Sequence, residues 1–331
     1  MYLQGFGVPD LPWSKVQKMN ATLEFRGFNN RVSAKVSAYH YKTSPLIINL
    51  PMIPSTGMDN YPTDMGKMIT MGLEFDFSYN IIQRSEQRIY WRVSVNGSHL
   101  KKEYEGFGDK LKNLNAFLQE SNSLARFIDG YGPDDLWAVR SYGIDPANGQ
   151  EVFVKKDGTL TYFYNSDDLV RIASGRPDLA GTIHTSFRYR SLSVSVALSY
   201  AIGGYKYNSA LYNKVENITK SSLERNQDKR ALYSRWQTVG QVARFRAIQI
   251  LTDDNPITSR FIQKDNYLRG SSINVNYDID NSAWLQRNLA VRRMSVGFSM
   301  DELFRWETSQ YERGINAPFA RKFTLNLSLN F

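Results

Sequence analysis

The 331-residue chain has no cysteine and only three histidines. Without cysteine, a fold held together by disulfides is excluded. The chain also lacks an unbroken apolar run of about 20 residues, the length that a transmembrane helix needs. A dense basic block is missing too. The net charge is +9, but Asp and Glu are mixed among the basic residues throughout, so binding of nucleic acid is not predicted.

No signal peptide is recognisable at the start of the sequence. Met1 is followed by Tyr2, Leu3, Gln4 and Gly5, without a basic segment or an apolar core. We therefore expect either that a signal has been removed or that the sequence is part of a longer polypeptide.

Alternation of apolar and polar residues dominates the sequence. Because successive side chains of a strand point to opposite faces, such segments have one apolar and one polar face. About nine segments show the pattern, beginning near residues 19, 32, 69, 89, 183, 192, 273, 293 and 322. The last one carries its apolar face on Phe323, Leu325, Leu327, Leu329 and Phe331. Many approach the roughly 9–11 residues with which a β-strand crosses a bilayer.

Two tight turns predict the pairing register of their hairpins. A turn at Arg190–Ser191 places Tyr189 opposite Leu192, and a turn at 29–30 places Gly27 opposite Val32. In both hairpins the apolar faces of the two strands then coincide, as register requires.

The connections between the segments alternate in length. Those after Phe28, Tyr79, Tyr189 and Asp278 are short, and those near 45–66, 101–180, 201–267 and 301–321 are long. Outer-membrane barrels show this asymmetry between periplasmic turns and extracellular loops. A soluble β-sandwich also alternates, but the long strands, the unequal loops and aromatics near strand ends favour a barrel. The prediction is an all-β fold, a transmembrane antiparallel β-barrel, with Phe331 at the periplasmic end.

An odd number of strands is unusual for a bacterial single-chain barrel. The first segment also begins close to the start of the sequence. We therefore expect 1–331 to be the C-terminal portion of a larger barrel, with further strands upstream on a longer polypeptide.

Short motifs along nearly the whole chain resemble those of SusC/RagA-like TonB-linked outer-membrane transporters. Each motif is weak alone, and their order and spacing carry the resemblance. They are Leu11-Pro12-Trp13-Ser14-Lys15, Pro54-Ser55-Thr56-Gly57, Tyr142-Gly143-Ile144-Asp145-Pro146 with Gly149 and Asp157-Gly158, Tyr267-Leu268-Arg269 and Leu303-Phe304-Arg305-Trp306. Asp301-Glu302 and Gly270-Ser271-Ser272 depart from the family's pattern, and its plug domain and TonB-contacting box have no counterpart in 1–331.

The resemblance implies a location in the bacterial outer membrane and TonB-dependent import of oligosaccharides or peptides, with no covalent chemistry. It further implies a SusD-like surface lipoprotein as partner, and energy from TonB–ExbB–ExbD through an N-terminal region outside this sequence. The barrel would sit in outer-membrane lipid, after assembly by the barrel-assembly machinery that reads the Phe-terminated last strand. A passive porin-like channel and an outer-membrane barrel hydrolase are the alternatives.

The long 101–180 connection holds the candidate substrate contacts. Tyr131, Trp137 and Tyr142 offer aromatic rings to sugar or peptide groups, although packing of the loop on itself also explains them. Helical spacing of apolar residues in 111–127 predicts a short loop helix, which either packs on the barrel mouth or serves as a lid or partner contact.

No catalytic constellation is predicted, and the chain is expected not to be an enzyme. His184 with Ser186 on the same strand face is the hydrolase candidate, but a polar wall residue is the preferred interpretation. No cofactor and no metal are expected. The segment 145–151 has oxygen ligands of the kind calcium binds, yet a plain Pro/Asn/Gly turn explains it better.

Overall fold

The computed structural model describes residues 8, 10–57, 60–121, 123–218, 224, 226–248, 255–280, 282–309 and 321–331. A single nine-stranded antiparallel sheet dominates the described part of the chain, in the order β1-β2-β5-β6-β11-β12-β15-β16-β17. Its strands are β1 (Lys15–Gly27), β2 (Val32–Ser44), β5 (Lys67–Arg84), β6 (Ile89–Glu105), β11 (Leu179–Tyr189), β12 (Leu192–Ile202), β15 (Tyr267–Asp280), β16 (Arg293–Glu307) and β17 (Phe323–Asn330).

Both predicted hairpin registers are confirmed. Tyr189 lies opposite Leu192, and Gly27 lies opposite Val32. The first turn places Arg190 at a φ of +53°. The second places Asn29 and Asn30 at +55° and +61°, a region that asparagine tolerates better than most residues. The turns therefore fix the register along the sheet, and adjacent strands follow one another in chain order.

The two faces of the sheet differ as the alternation predicts. The apolar residues of every strand meet in the same register rows, for example Phe25–Ala34–Phe77–Val95, and form the outward face of a barrel wall. The opposite face is polar and hydrogen-bonded across strands: Asn96 Nδ2 donates to Thr182 Oγ1 at 2.7 Å, and Arg92 donates to Ser78 Oγ at 2.9 Å. This second face is the one that lines the lumen.

The strands extend farther at one end than the sequence predicts. β5 and β6 have 18 and 17 residues, and their upper halves continue beyond the segments that alternate cleanly. This end carries the long connections and is called the long-loop end below. The opposite, short-turn end has connections at 28–31, 85–88 and 190–191, and one holding a short helix between β15 and β16.

The long connections contain secondary structure of their own. In 45–66, β3 (Leu46–Pro51) pairs with β4 (Asn60–Met65). In 101–180, a second sheet has the order β10-β7-β8-β9. A hairpin with its turn at Asp157–Gly158 is present there. The strands are β7 (Asp135–Ile144), β8 (Glu151–Val154), β9 (Leu160–Thr161) and β10 (Leu169–Ser174), with β13 (Tyr205–Tyr207) and β14 (Ile262–Lys264) pairing in 201–267.

The predicted loop helix is present but shorter than 111–127. It is α1 (Lys112–Glu120), and Leu111 and Leu114 bury its inner side against Ile48, Tyr104 and Phe107. The other helices are α2 (Ser209–Leu211), α3 (Arg230–Tyr233) and α4 (Ala283–Leu289). None of the helices in the described ranges is long and apolar enough to cross a membrane. The three clusters of buried apolar residues found in the described ranges lie at the long-loop end.

Gly270-Ser271-Ser272 of β15 and Asp301-Glu302 of β16 form an irregularity in the sheet. The register shifts on both sides of Ser271, and Glu302 opposite adopts a φ of +59°. A Cβ on Gly270 would lie 2.8 Å from the Leu303 Cβ, so the close approach of the two strands requires glycine. Arg269 forms an ion pair with Glu302 across this bulge.

Candidate substrate site at the long-loop end

A cavity of about 400 Å³ lies where β6 extends beyond the end of the neighbouring strand β11. β11 pairs with β6 only as far as Ala180 opposite Ser98. Beyond that point β6 keeps β5 on one side and borders the cavity on the other. The lining combines the upper part of β6, the turn before β7 and the segment between β10 and β11; it includes His99, Lys101, Lys102, Glu103, Tyr131, Asp134, Asp135, Arg171, Arg176 and Asp178.

Main-chain hydrogen bonds attach the turn before β7 to the top of β6. The Tyr104 N–H donates to the Tyr131 carbonyl at 2.8 Å, and the Gly130 N–H donates to the Tyr104 carbonyl at 2.9 Å. Gly132 follows in close contact, because a Cβ there would lie 2.3 Å from the Lys102 carbonyl oxygen. The buried Tyr104 ring packs on Phe107 with centroids 5.2 Å apart. The turn is thus held by the strand and by the apolar cluster under α1.

Charges of both signs line the cavity, and most are paired. Buried Asp135 accepts from Arg171 Nε at 2.8 Å and from the Gly132 N–H at 2.8 Å. Asp134 accepts from Arg176 Nε at 2.7 Å. Four basic and four acidic side chains balance, so the cavity favours neither sign of ligand charge overall. It offers hydrogen-bond donors and acceptors to a neutral or zwitterionic solute.

Lys102 differs from the other three cations of the lining. Lys101 forms an ion pair with Glu103 at 2.5 Å, but Lys102 has no ion-pair partner within the described ranges. Its ammonium group is therefore available to a carbonyl, hydroxyl or carboxylate of a bound solute.

The structure separates the three aromatic residues predicted from the sequence. Tyr131 lines the cavity and is 36% exposed. Trp137 is 8% exposed and packs edge-on against Tyr131 at 4.9 Å, so it supports that ring rather than offering its own face. Tyr142 is 74% exposed and does not line the cavity. Their role in substrate contact stays a prediction, and Tyr131 has the most suitable position.

Sequence reasoning missed the charged lining residues. Lys102, Arg171 and Arg176 come from separate segments, and no local spacing links them. One signal was present: the alternation of β6 continues past Ser98 with charged residues, which indicates a strand that leaves the membrane.

A buried ionic cluster at the long-loop end joins the 101–180 and 201–267 connections. Arg260 donates to Glu151 at 2.6 Å and to Glu216 at 2.8 Å, and Thr258 donates to Glu151 at 2.8 Å. Burial alone would lower the pKa of Arg260, but the two carboxylates outweigh it and raise that pKa above its ordinary value. The cluster fixes β8 against the 201–267 connection.

The segment 145–151, whose oxygens could in principle bind calcium, uses its side-chain oxygens to accept hydrogen bonds from the protein itself. Asp145 Oδ1 accepts from the Ala147 N–H at 2.8 Å, Asn148 Oδ1 accepts from the Gln150 N–H at 2.9 Å, and Glu151 is held by Arg260. Over the residues that the structure describes, no group of three His, Cys, Asp or Glu side chains is arranged to hold a metal ion.

His184 lies on the lumen face, opposite Ser94 and Ala197. In the described part of the chain it has no hydrogen bond to Ser186, the residue that would be its partner in a hydrolase. The five apolar residues of the last segment, Phe323, Leu325, Leu327, Leu329 and Phe331, are all exposed. Leu325 and Leu327 lie opposite Phe298 and Val296 on the outward face.

Fold and site together define a wall of a transmembrane antiparallel β-barrel with elaborated loops at one end. No protein-family model matches the chain. It is 22% identical to the TonB-dependent receptor SusC of Bacteroides thetaiotaomicron over 97% of its length, and 20% identical to the TonB-dependent receptor P39 of Formosa agariphila over 90%. It superposes on a RagAB peptide transporter structure with a TM-score of 0.80 at 21% identity, covering 100% of this chain and 37% of that one.

The resemblance to SusC/RagA-like TonB-linked transporters is thereby confirmed, as are the barrel fold and the outer-membrane location. The chain spans about a third of the length of its curated relatives, 32% of both SusC and P39. These relatives are named as receptors, in agreement with the expectation that the chain is not an enzyme.

Proposed function

We propose that the chain forms part of the wall and extracellular mouth of a TonB-dependent importer of oligosaccharides or peptides. The observation that carries the proposal is the two-faced nine-stranded sheet, whose whole length aligns with about a third of SusC. The polar face lines the lumen, and the long-loop end is extracellular, as the loop asymmetry indicates.

The wall belongs to a larger barrel. β1 and β17 each have a neighbour on one side only within the described sheet. Unpaired strand edges are not tolerated in lipid, because their N–H and C=O groups find no partner there. Further strands therefore close the barrel. A plug domain and a TonB-contacting segment belong to the same polypeptide in this proposal, upstream of residue 1.

The partners follow the same resemblance. A SusD-like lipoprotein covers the extracellular mouth, TonB–ExbB–ExbD supplies energy, and the barrel-assembly machinery inserts the chain. The RagAB neighbour is described as a peptide transporter, and SusC is a TonB-dependent receptor. Peptides and oligosaccharides thus remain the two substrate classes of the proposal. Both offer the carbonyl or hydroxyl groups that Lys102 and Tyr131 of the cavity can bind.

Uptake by cells carrying the full-length protein tests the proposal. Labelled peptides and oligosaccharides should accumulate in these cells, and deletion of TonB should abolish accumulation. Uptake that continues unchanged without TonB would contradict the proposal and point to a passive channel. Tyr131→Ala combined with Lys102→Gln should weaken substrate binding by about tenfold, the effect of one or two lost hydrogen bonds. Tyr142→Ala, outside the cavity, is the matched control.

A further inference from the structure

Lys, Arg, His, Asp and Glu on the outward face of β1, β2, β5 and β6 lie only toward its two ends. Arg84 lies opposite Ile89 at the short-turn end, and the rows in the middle, such as Leu23–Val36–Phe75–Gly97, carry none. Histidine and lysine first appear in two consecutive rows above them, and a third row adds a lysine and a glutamate. These rows are Ala21–Ala38–Leu73–His99, Met19–His40–Met71–Lys101 and Gln17–Lys42–Ile69–Glu103.

That boundary marks the extracellular edge of the hydrocarbon layer. A charged side chain on the lipid face is costly at mid-membrane and nearly free of cost at the interface. The strands β12, β15 and β16, in the other half of the sheet, carry different residues at this edge. Their outward residues at the long-loop end are Ile202, Leu268 and Trp306, none of them ionisable. The basic residues are therefore a local feature of the β1–β6 wall rather than a general property of this edge.

A groove lies directly below the basic residues on the same face. It has a volume of about 580 Å³, and the small side chains of Ala21 and Ala38, paired in register, leave it open. Met19, Met71 and Leu73 supply its apolar sides, while His40, His99 and Lys101 stand at its upper end. An aliphatic chain fits the lower part, and an anion fits the upper end.

The charge at the upper end is positive after all acidic neighbours are included. Glu103 pairs with Lys101 at 2.5 Å, and Glu105 pairs with Lys67 at 2.6 Å. Lys42 faces outward in the row above His40 and has no carboxylate partner among the described residues. The His99 Nδ1–H donates to the Asp178 carbonyl at 2.6 Å, which fixes the imidazole at the end of the groove.

We propose that this surface binds a phosphate-bearing glycolipid of the outer leaflet. One acyl chain lies in the groove over Ala21 and Ala38, and the phosphate lies against Lys42, His40 and Lys101. The basic upper end complements a phosphate, and the groove lies at the extracellular edge of the hydrocarbon layer, where the head groups of outer-leaflet lipids begin. Both observations favour this occupant. A protein partner would instead have to displace lipid from an apolar face that the bilayer already covers. His99 and Lys101 stand at the edge of β6 and border both the groove and the substrate cavity, whereas His40 and Lys42 on β2 do not line that cavity. The proposal does not rest on the transport proposed above.

Lipid binding to the full-length transporter, purified in detergent, tests the proposal. Native mass spectrometry with added diphosphoryl lipid A should show a saturable bound lipid. Dephosphorylated lipid A should bind at least about tenfold more weakly, as expected when two basic residues lose their anion. Lys42→Gln combined with Lys101→Gln should cause a similar loss, and Lys42→Arg with Lys101→Arg should restore binding.

The matched control is Lys18→Gln with Lys35→Gln, which removes two lysines from the lumen face of β1 and β2 in the same wall. This control should retain the lipid. Equal losses in both glutamine variants, or equal binding of the phosphorylated and dephosphorylated forms, would overturn the proposal. Equally tight binding of phosphatidylglycerol would overturn the assignment to a glycolipid. Unchanged heat-modifiable migration of each variant on a gel establishes that the barrel is folded.

Discussion

Arg260 and Glu151 form a two-pronged ion pair between the loops, with Arg260 Nε and a terminal guanidinium nitrogen at 2.8 and 2.6 Å from the carboxylate oxygens. The Glu151 side chain is fully buried, and that of Arg260 nearly so. Glu216 takes a second position on the same guanidinium, 2.8 Å away. One arginine thus holds two carboxylates from separate connections, which explains how loops this long keep a defined shape.

Glu151→Gln should loosen the contact between the two loops. Arg260 keeps Glu216 as a partner, but the hydrogen bonds that Arg260 and Thr258 donate to Glu151 lose their charged acceptor, and hydrogen bonds to charged groups contribute about 1.5–3 kcal/mol each. Hydrogen exchange of the amides around Thr258 and Val215 should therefore become at least about 100-fold faster, while exchange in the nine-stranded sheet stays unchanged. Glu24→Gln, which removes the exposed partner of Lys35, should change exchange by less than about fivefold. Equal effects of the two substitutions would contradict a stabilising role for the buried cluster.

The sheet was largely predictable from the sequence because its information is local. Alternation and two tight turns were enough to place Tyr189 opposite Leu192. The β3–β4 hairpin was missed although Leu46, Ile48 and Leu50 alternate. Pro62 lies within β4, and proline in a strand run usually argues against a strand. It is tolerated here because a two-stranded sheet consists only of edges.

The cavity was not predictable by the same means. Tyr131 was identified by its residue type, but its position depends on main-chain bonds to Tyr104, far away in the sequence. Lys102 is one of many lysines in the chain. It borders the cavity only because the pairing of β11 with β6 stops at Ala180, opposite Ser98. Long-range pairing decides such positions, and alternation carries no information about it.

Gly132→Ala should disrupt the cavity without affecting the barrel. The added methyl group would lie 2.3 Å from the Lys102 carbonyl oxygen, so the main chain of the turn has to move. We expect the hydrogen bond from Tyr104 to Tyr131 to weaken and substrate affinity to fall by about tenfold. Equilibrium binding to the full-length transporter measures the affinity, and exchange of the Tyr104 amide measures the bond. Wild-type affinity in this variant would exclude the cavity as a substrate site.

The Asp145–Tyr162 hydrogen bond should make the β9 hairpin sensitive to pH at both extremes. This bond, with a second from the Ala147 N–H, holds the pKa of Asp145 below its usual 3.8. Its contribution to stability is therefore complete above pH 3.8 and is lost as pH falls through the lower folded value. The same bond raises the pKa of Tyr162 above 10.0, so that contribution is complete below pH 10.0 and is lost as pH rises through the folded value.

Spectroscopic titration can detect this pair. The difference in absorbance between the wild type and Tyr162→Phe isolates the ionisation of Tyr162, which should occur above pH 10.0. Asp145→Asn removes the charged acceptor and should bring the pKa of Tyr162 back toward 10.0. A pKa of Tyr162 that is the same with and without the Asp145 carboxylate would show that the hydrogen bond does not form in solution.

Deletion of Phe331 should reduce insertion of the barrel into the outer membrane. The last strand presents an uninterrupted apolar row, and Phe323 packs on Phe298 of β16 with ring centroids 6.3 Å apart. Phe331 follows β17 as an exposed aromatic residue at the short-turn end, where girdle residues of barrels lie. Because the pairing of β17 with β16 runs from Phe323 to Asn330 and does not include Phe331, loss of Phe331 should leave the folded sheet intact and slow its recognition by the assembly machinery. Heat-modifiable protein in outer-membrane fractions measures this effect. Ser328→Ala, on the lumen face of the same strand, should insert normally, and normal insertion of the truncated protein would rule out Phe331 as an assembly signal.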